Sequence, residues 1–197
     1  VPCIDNTRLE TTMRTRRPAT RRRRQFGLTM VELCTTCTVA AALVGTAMPS
    51  YRDWVERKAL EGRAFELGTD LQLARSEAVS RNTGLRMSFA SDALGSCYVV
   101  HTGPAHACSC LGDAPAVCSG GAQALRSAYL PASAGVRVQP AGAATSVLFD
   151  AVRGTVTPTL TVQLTDPRGR AIHQVVNVMG RVRACSPQGR VPGVKAC

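Results

Sequence analysis

An α+β fold, with one long N-terminal helix packed on an antiparallel β-sheet head, follows from three features of this 197-residue chain. An apolar run, Leu28 to Met48, leads directly into a charged segment whose apolar residues recur at helical spacing. Beyond Gly84 the period changes. Short segments rich in Val, Leu, Thr and aromatics alternate with turn residues. One helix followed by a run of strands makes a layered α+β domain, the sheet packing on the helix's apolar stripe.

The chain reads as three parts. Residues 1–27 form a basic leader, with eight arginines against Asp5 and Glu10. The first residue is Val, whereas Met13 would open a compact leader ending at Gly27, so residues 1–12 are expected to be an over-extended start. Residues 28–49 form the second part. As a helix, Leu28–Met48 would span about 32 Å, enough for a hydrocarbon core of about 30 Å. Glu32, several threonines and Gly45 make it a poor membrane span, and a signal peptide competes. The run is longer than a signal-peptide core, however, and no A-x-A site closes it. The arginines place its N-terminal side in the cytoplasm.

Residues 50–197 form the third part, an amphipathic helix plus a sheet head ending in a basic tail. Pro49 removes a backbone donor and is expected to bend the helix. Leu60, Ala64, Leu67, Leu71, Ala74 and Ala78 then recur at steps of three and four, an apolar stripe. Charged residues between them, Glu66, Asp70 and Arg75 among others, read as a solvated face. The helix should stop near Arg81, at the Asn82–Gly84 turn. Strand-like segments follow within 85–91, 96–103, 125–131, 136–140, 146–152, 159–165 and 171–179. Ala105 to Gly121 reads as a disulfide-stapled loop.

Nine cysteines point to an oxidising compartment such as a bacterial periplasm. Cys97, Cys108, Cys110 and Cys118 cluster, and their pairing stays open. Cys185 and Cys197 bracket the tail, where pairing would close a short loop holding Arg190 and Lys195. Cys3 is left over. Cys34 and Cys37 have C-x-x-C spacing but sit in the apolar run and read as small hydrophobes. His101 and His106 near the cysteine cluster do not make a standard zinc spacing, so no metal and no cofactor is expected. No catalytic motif is present, and the chain reads as a non-enzyme.

Charge collects at the two ends. After Asp166 nothing is acidic, leaving Arg168, Arg170, Arg181, Arg183, Arg190 and Lys195. On a strand, Arg181 and Arg183 at i, i+2 would share one face. With few aromatics nearby, such a patch suits a phosphate backbone, read without sequence preference and sensitive to salt.

The stretch Gly27-Leu-Thr-Met-Val-Glu32 resembles the prepilin-type cleavage and methylation motif, Leu28 replacing the more usual Phe. Asp70–Asn82 and Phe149–Val156 are similar to the helix signature and sheet-edge turn of the GspH/FimT family of minor pilins and pseudopilins. Gly180-Arg-Val-Arg183 resembles the G-R-x-R motif of the FimT branch. The resemblance covers the chain from Arg21 onward and implies a pilin-like fold. It further implies cleavage by a prepilin peptidase after Gly27 and methylation of Leu28. The new ammonium would partner Glu32, whose charge is expensive in hydrocarbon. It implies inner-membrane insertion with a periplasmic head, assembly with other pilins and pilus-assembly proteins, and binding of double-stranded DNA by Arg181, Arg183, Arg190 and Lys195 in natural transformation. The alternative is a GspH-like pseudopilin of a type II secretion system, or a priming subunit, with no DNA role.

Overall fold

The computed structural model describes residue 27 and residues 29–112 and 115–197. Residues 1–26 of the leader, Cys3 among them, and Leu28 of the expected cleavage site lie outside these. The chain divides into a unit ending at Val44 and a unit Gly45–Cys197. Helix α1, Met30–Ser80, contributes to both.

In the first unit α1 starts two residues later than the apolar run, because Thr29 caps it. Thr29 Oγ1 accepts the Glu32 N–H at 3.2 Å, and Thr29-x-x-Glu32 has the capping-box pattern. The hydroxyls of Thr35, Thr36 and Thr38 donate to carbonyls three or four residues back, at 2.6–3.0 Å. These threonines therefore present little unsatisfied polarity to an apolar surround. Met30, Val31, Val39 and Leu43 are exposed. The helix is long and apolar enough to cross a membrane.

In the second unit Pro49 lies inside α1, helical on both sides. The helix ends at Ser80, where Asn82 takes a positive φ of 48°. The six stripe residues from Leu60 to Ala78 are all buried. Fully buried Leu67 is typical, and truncating it to Ala should cost about 2–5 kcal/mol. One residue departs from the solvated-face expectation. Asp70 is buried (1% exposed) beside the stripe.

The head has two main antiparallel sheets rather than one. The first orders β5-β2-β1-β7-β8, with β1 Leu85–Ser91, β2 Gly95–Thr102, β5 Ala124–Pro131, β7 Ser146–Phe149 and β8 Val156–Thr157. The second orders β11-β10-β9-β6, with β6 Arg137–Pro140, β9 Leu160–Thr165, β10 Ala171–Val176 and β11 Val182–Cys185. After β5 a single 3₁₀ turn, Ala132–Ala134, sends the chain from the first sheet to the second. The sheets are joined by the Val138 N–H, which donates to Ser96 Oγ at 2.9 Å. Both sheets feed one core with the α1 stripe, through Met87, Tyr98, Phe149, Val162, Leu164 and Ile172 among others.

The Ala105–Gly121 segment is not only a loop. It folds as a small ladder, β3 Cys108–Ser109 against β4 Val117–Cys118, cross-linked by Cys108–Cys118 and tied to β2 by Cys97–Cys110. The four sulfurs are committed to one another. This hairpin explains why β2 is buried along nearly its whole length. Tyr98 and Val100 join the core under α1, while Cys97 and Val99 pack with the cysteine hairpin. A strand covered on both faces reads as continuously apolar rather than alternating.

Candidate nucleic-acid interface

The basic tail is less one-sided in space than in sequence. Arg168 pairs with Glu56 at 2.6 Å and Asp53 at 3.1 Å. Arg170 is buried, pairs with Asp166 at 2.5 Å and reaches Asp53 at 2.8 Å. Burial opposes the charge of Arg170, but the hydrogen bond and charge of Asp166, with Asp53, outweigh it and raise its pKa. Two of the six cations therefore brace the turn before β10 against α1. Their charge is compensated within the protein.

Arg181, Arg183, Arg190 and Lys195 are exposed, and none is in an ion pair with a described residue. The β10–β11 turn sets the first of them. Gly180 N–H donates to Asn177 O at 2.9 Å, and Asn177 Oδ1 accepts the Arg181 N–H at 2.9 Å. Arg181 lies just before β11, and Arg183 is within it, opposite Val175. The expected shared strand face is not what forms. Arg181 lines a groove of about 590 Å³ beside α1, whereas Arg183 lines a separate recess of about 460 Å³ with Lys195. Only Arg183 belongs to the ladder, whereas Arg181 precedes it in the turn.

The tail is held by Cys185–Cys197. Ser186 N–H donates to Lys195 O at 2.8 Å, and buried Val191 seats the loop on the core. In a chain-entropy account, closing a loop of this length removes about 3 kcal/mol of unfolded-state freedom. The backbone of Lys195 is thereby held, and Lys195 lines the same recess as Arg183. Arg190 lines neither recess.

Two residues that the sequence reading did not assign to this site join Arg181 in its groove: Arg75 from α1 and Arg153 from the β7–β8 turn. Arg75 Nε donates to Gly154 O at 3.0 Å. Gly180 has φ +70°, and a Cβ there would sit 2.7 Å from Arg75 Cδ and Nε. Only glycine leaves that space and takes that φ without strain. Asp150, the nearest acid in sequence, spends Oδ1 on the N–H groups of Val152 and Arg153, at 3.0 and 2.7 Å. Among the described residues, none lining the groove is acidic. The signal for Arg153 was in plain view, since it sits inside the Phe149–Val156 turn.

The profile of a protein family described as "Type II transport protein GspH" matches residues 63–180. The match ends one residue before Arg181, so the tail cations lie beyond it. No curated protein matches the chain. Two crystal structures of the type IV minor pilin FimU of Pseudomonas aeruginosa are similar to it. One is 24% identical, covering 72% of this chain and 98% of that one, with a TM-score of 0.49. The other is 22% identical over 70% and 97%, with a TM-score of 0.44.

Proposed function

This chain belongs to the GspH family, a group of type IV minor pilins and pseudopilins, and on that premise we propose that it is a FimT-like minor pilin that binds double-stranded DNA for uptake in natural transformation. The observation that carries the DNA reading is the contrast within the tail. Arg168 and Arg170 are paired with Asp53, Glu56 and Asp166, while Arg181, Arg183, Arg190 and Lys195 stay exposed without such partners among the described residues. Unpaired guanidinium and ammonium groups on a disulfide-held end suit phosphate contact, since little order remains to be created on binding. Without an aromatic platform the binding is sequence-independent and falls steeply with salt.

In this reading prepilin peptidase cuts between Gly27 and Leu28, and Leu28 is methylated. The apolar part of α1 then holds the protein in the inner membrane with the head in the periplasm. On assembly that part packs among other pilins, with pilus-assembly proteins driving the step. The processed chain is a structural subunit with no cofactor.

The second reading is a pseudopilin of a type II secretion system without a DNA role. What favours it is the matched family's own description as a type II transport protein, together with a match that stops short of Arg181. A titration of the detergent-solubilised full chain with fluorescent duplex DNA across salt concentrations separates the two. Retardation at low salt that weakens with Arg181→Gln plus Arg183→Gln supports the first. No binding at low salt overturns it in favour of the second.

A further inference from the structure

We propose that Arg75, Arg153 and Arg181 form a single oxyanion-binding groove that takes a phosphodiester, so that the DNA track leaves Arg181 across the helix and the β7–β8 turn. The natural ligand rests on the DNA reading above; the groove itself rests on geometry. Three segments far apart in sequence, α1, the β7–β8 turn and the β10–β11 turn, each supply one arginine to the lining of one recess of about 590 Å³. Among the described residues none in the lining is acidic, so the three arginines share the recess without an acidic neighbour there to compensate them. Like charges gathered in this way repel, and an anion bound among them relieves that repulsion.

The groove is built rather than incidental. Arg75 is half-buried, and its Nε is spent on Gly154 O. That bond fixes the guanidinium and leaves its two terminal nitrogens as donors. Two glycines make room for the same side chain. A Cβ at Gly180 would meet Arg75 at 2.7 Å, and one at Gly154 would meet Arg75 Nε at 3.3 Å. The hydrogen bond from Val156 N–H to Val178 O, at 2.8 Å, ties the two turns that carry Arg153 and Arg181. Because Arg75 is positioned before any ligand arrives, less side-chain entropy is lost on binding.

The test uses the full chain in a neutral detergent and two probes. In fluorescence titrations with duplex DNA, Arg153→Gln should weaken binding about five- to tenfold near 0.1 M salt and lower the log–log salt slope by about one. Arg52→Gln removes the same charge roughly 35 Å away along α1 and should change neither. Binding unaltered by Arg153→Gln, yet weakened by Arg181→Gln plus Arg183→Gln, overturns the groove and leaves the DNA reading standing. The second probe is inorganic tripolyphosphate, followed through the guanidinium Nε–Hε signals by NMR. Joint, saturable shifts of Arg75, Arg153 and Arg181 support the groove even where duplex DNA does not bind. Failure of the three to shift together overturns it, whatever the DNA result.

Discussion

The phenol of Tyr98 donates to Asp70 Oδ2 at 2.7 Å, so a buried carboxylate on α1 is held by the middle of β2. Arg126 on β5 reaches the other oxygen of Asp70 at 2.5 Å. Helix and sheet are thus joined by a polar clasp beside the apolar stripe. Removing the carboxylate leaves a buried hydroxyl without its acceptor. Asp70→Ala should therefore destabilise the head by about 2–4 kcal/mol, mainly through the buried hydroxyl left unsatisfied, since Arg126 is half exposed and can return to water. Tyr98→Phe, which leaves Asp70 paired with Arg126, should cost less, about 1.5–3 kcal/mol. Urea unfolding of both variants checks the order. Equal losses, or a larger loss for Tyr98→Phe, would show that the carboxylate is not the centre of the clasp.

The same clasp sets an alkaline limit. Burial, and then the hydrogen bond to Asp70, push the Tyr98 phenol far above the ordinary tyrosine value near 10. The folded state therefore keeps a proton that the unfolded state releases. Stability from this group is fully present below about pH 10 and is lost as pH rises above it, by up to about 1.4 kcal/mol per pH unit. Absorbance titration of folded wild type and Tyr98→Phe should give the same phenolate amplitude at pH 11, because Tyr98 keeps its proton there. A larger amplitude in the wild type would place Tyr98 in the ordinary range.

How legible this was in the sequence depended on distance along the chain. The stripe from Leu60 to Ala78 could be read because helical period is a local property, and all six of its residues are buried. Charge alone puts Asp70 on the solvated face, although it stands three residues after Leu67 and four before Ala74, on the edge of the buried one. A carboxylate there is buried only because Tyr98 and Arg126 arrive from strands that period alone does not place. Arg168 and Arg170 looked free for the same reason. Their partners Asp53 and Glu56 lie more than 100 residues upstream, at separations of 112 and 117. The ladders β3 and β4 are two residues each, too short for propensity to register. Arg75 read as one charge among many on a helix, and only the fold brings it against Gly154 and Gly180.

Gly180 connects the recognised motif to that helix. Alanine there would hold φ near +70°, costing about 1–2 kcal/mol, and its methyl would also displace Arg75. Gly180→Ala should therefore lower stability by more than backbone strain alone, because Gly154 O loses its donor. It should also weaken duplex DNA binding as much as Arg75→Gln does. Paired urea and DNA titrations decide this. A Gly180→Ala chain that loses stability but binds DNA as wild type would confine the glycine to a folding role.

Glu32 has two accounts that one substitution separates. Its N–H is bound by Thr29 in the first turn of α1, where a carboxylate gains about 0.3–1 kcal/mol from the helix dipole. On the processing account its charge also neutralises the new ammonium at Leu28. Gln can serve in a capping box but carries no charge. On the helix account alone, Glu32→Gln should leave processing, membrane insertion and pilus incorporation nearly unchanged. On the ammonium account, the processed protein should still accumulate in membranes, but an uncompensated charge remains at the edge of the hydrocarbon. At the edge the cost is below that of a charge at the bilayer centre, about 2.5–3.5 kcal/mol, but about 1.4 kcal/mol already makes a factor of ten, so incorporation should fall about tenfold. Comparing membrane and sheared-pilus fractions by immunoblot distinguishes the two. We expect the second outcome, because the dipole term alone is too small to explain an acid in so apolar a helix.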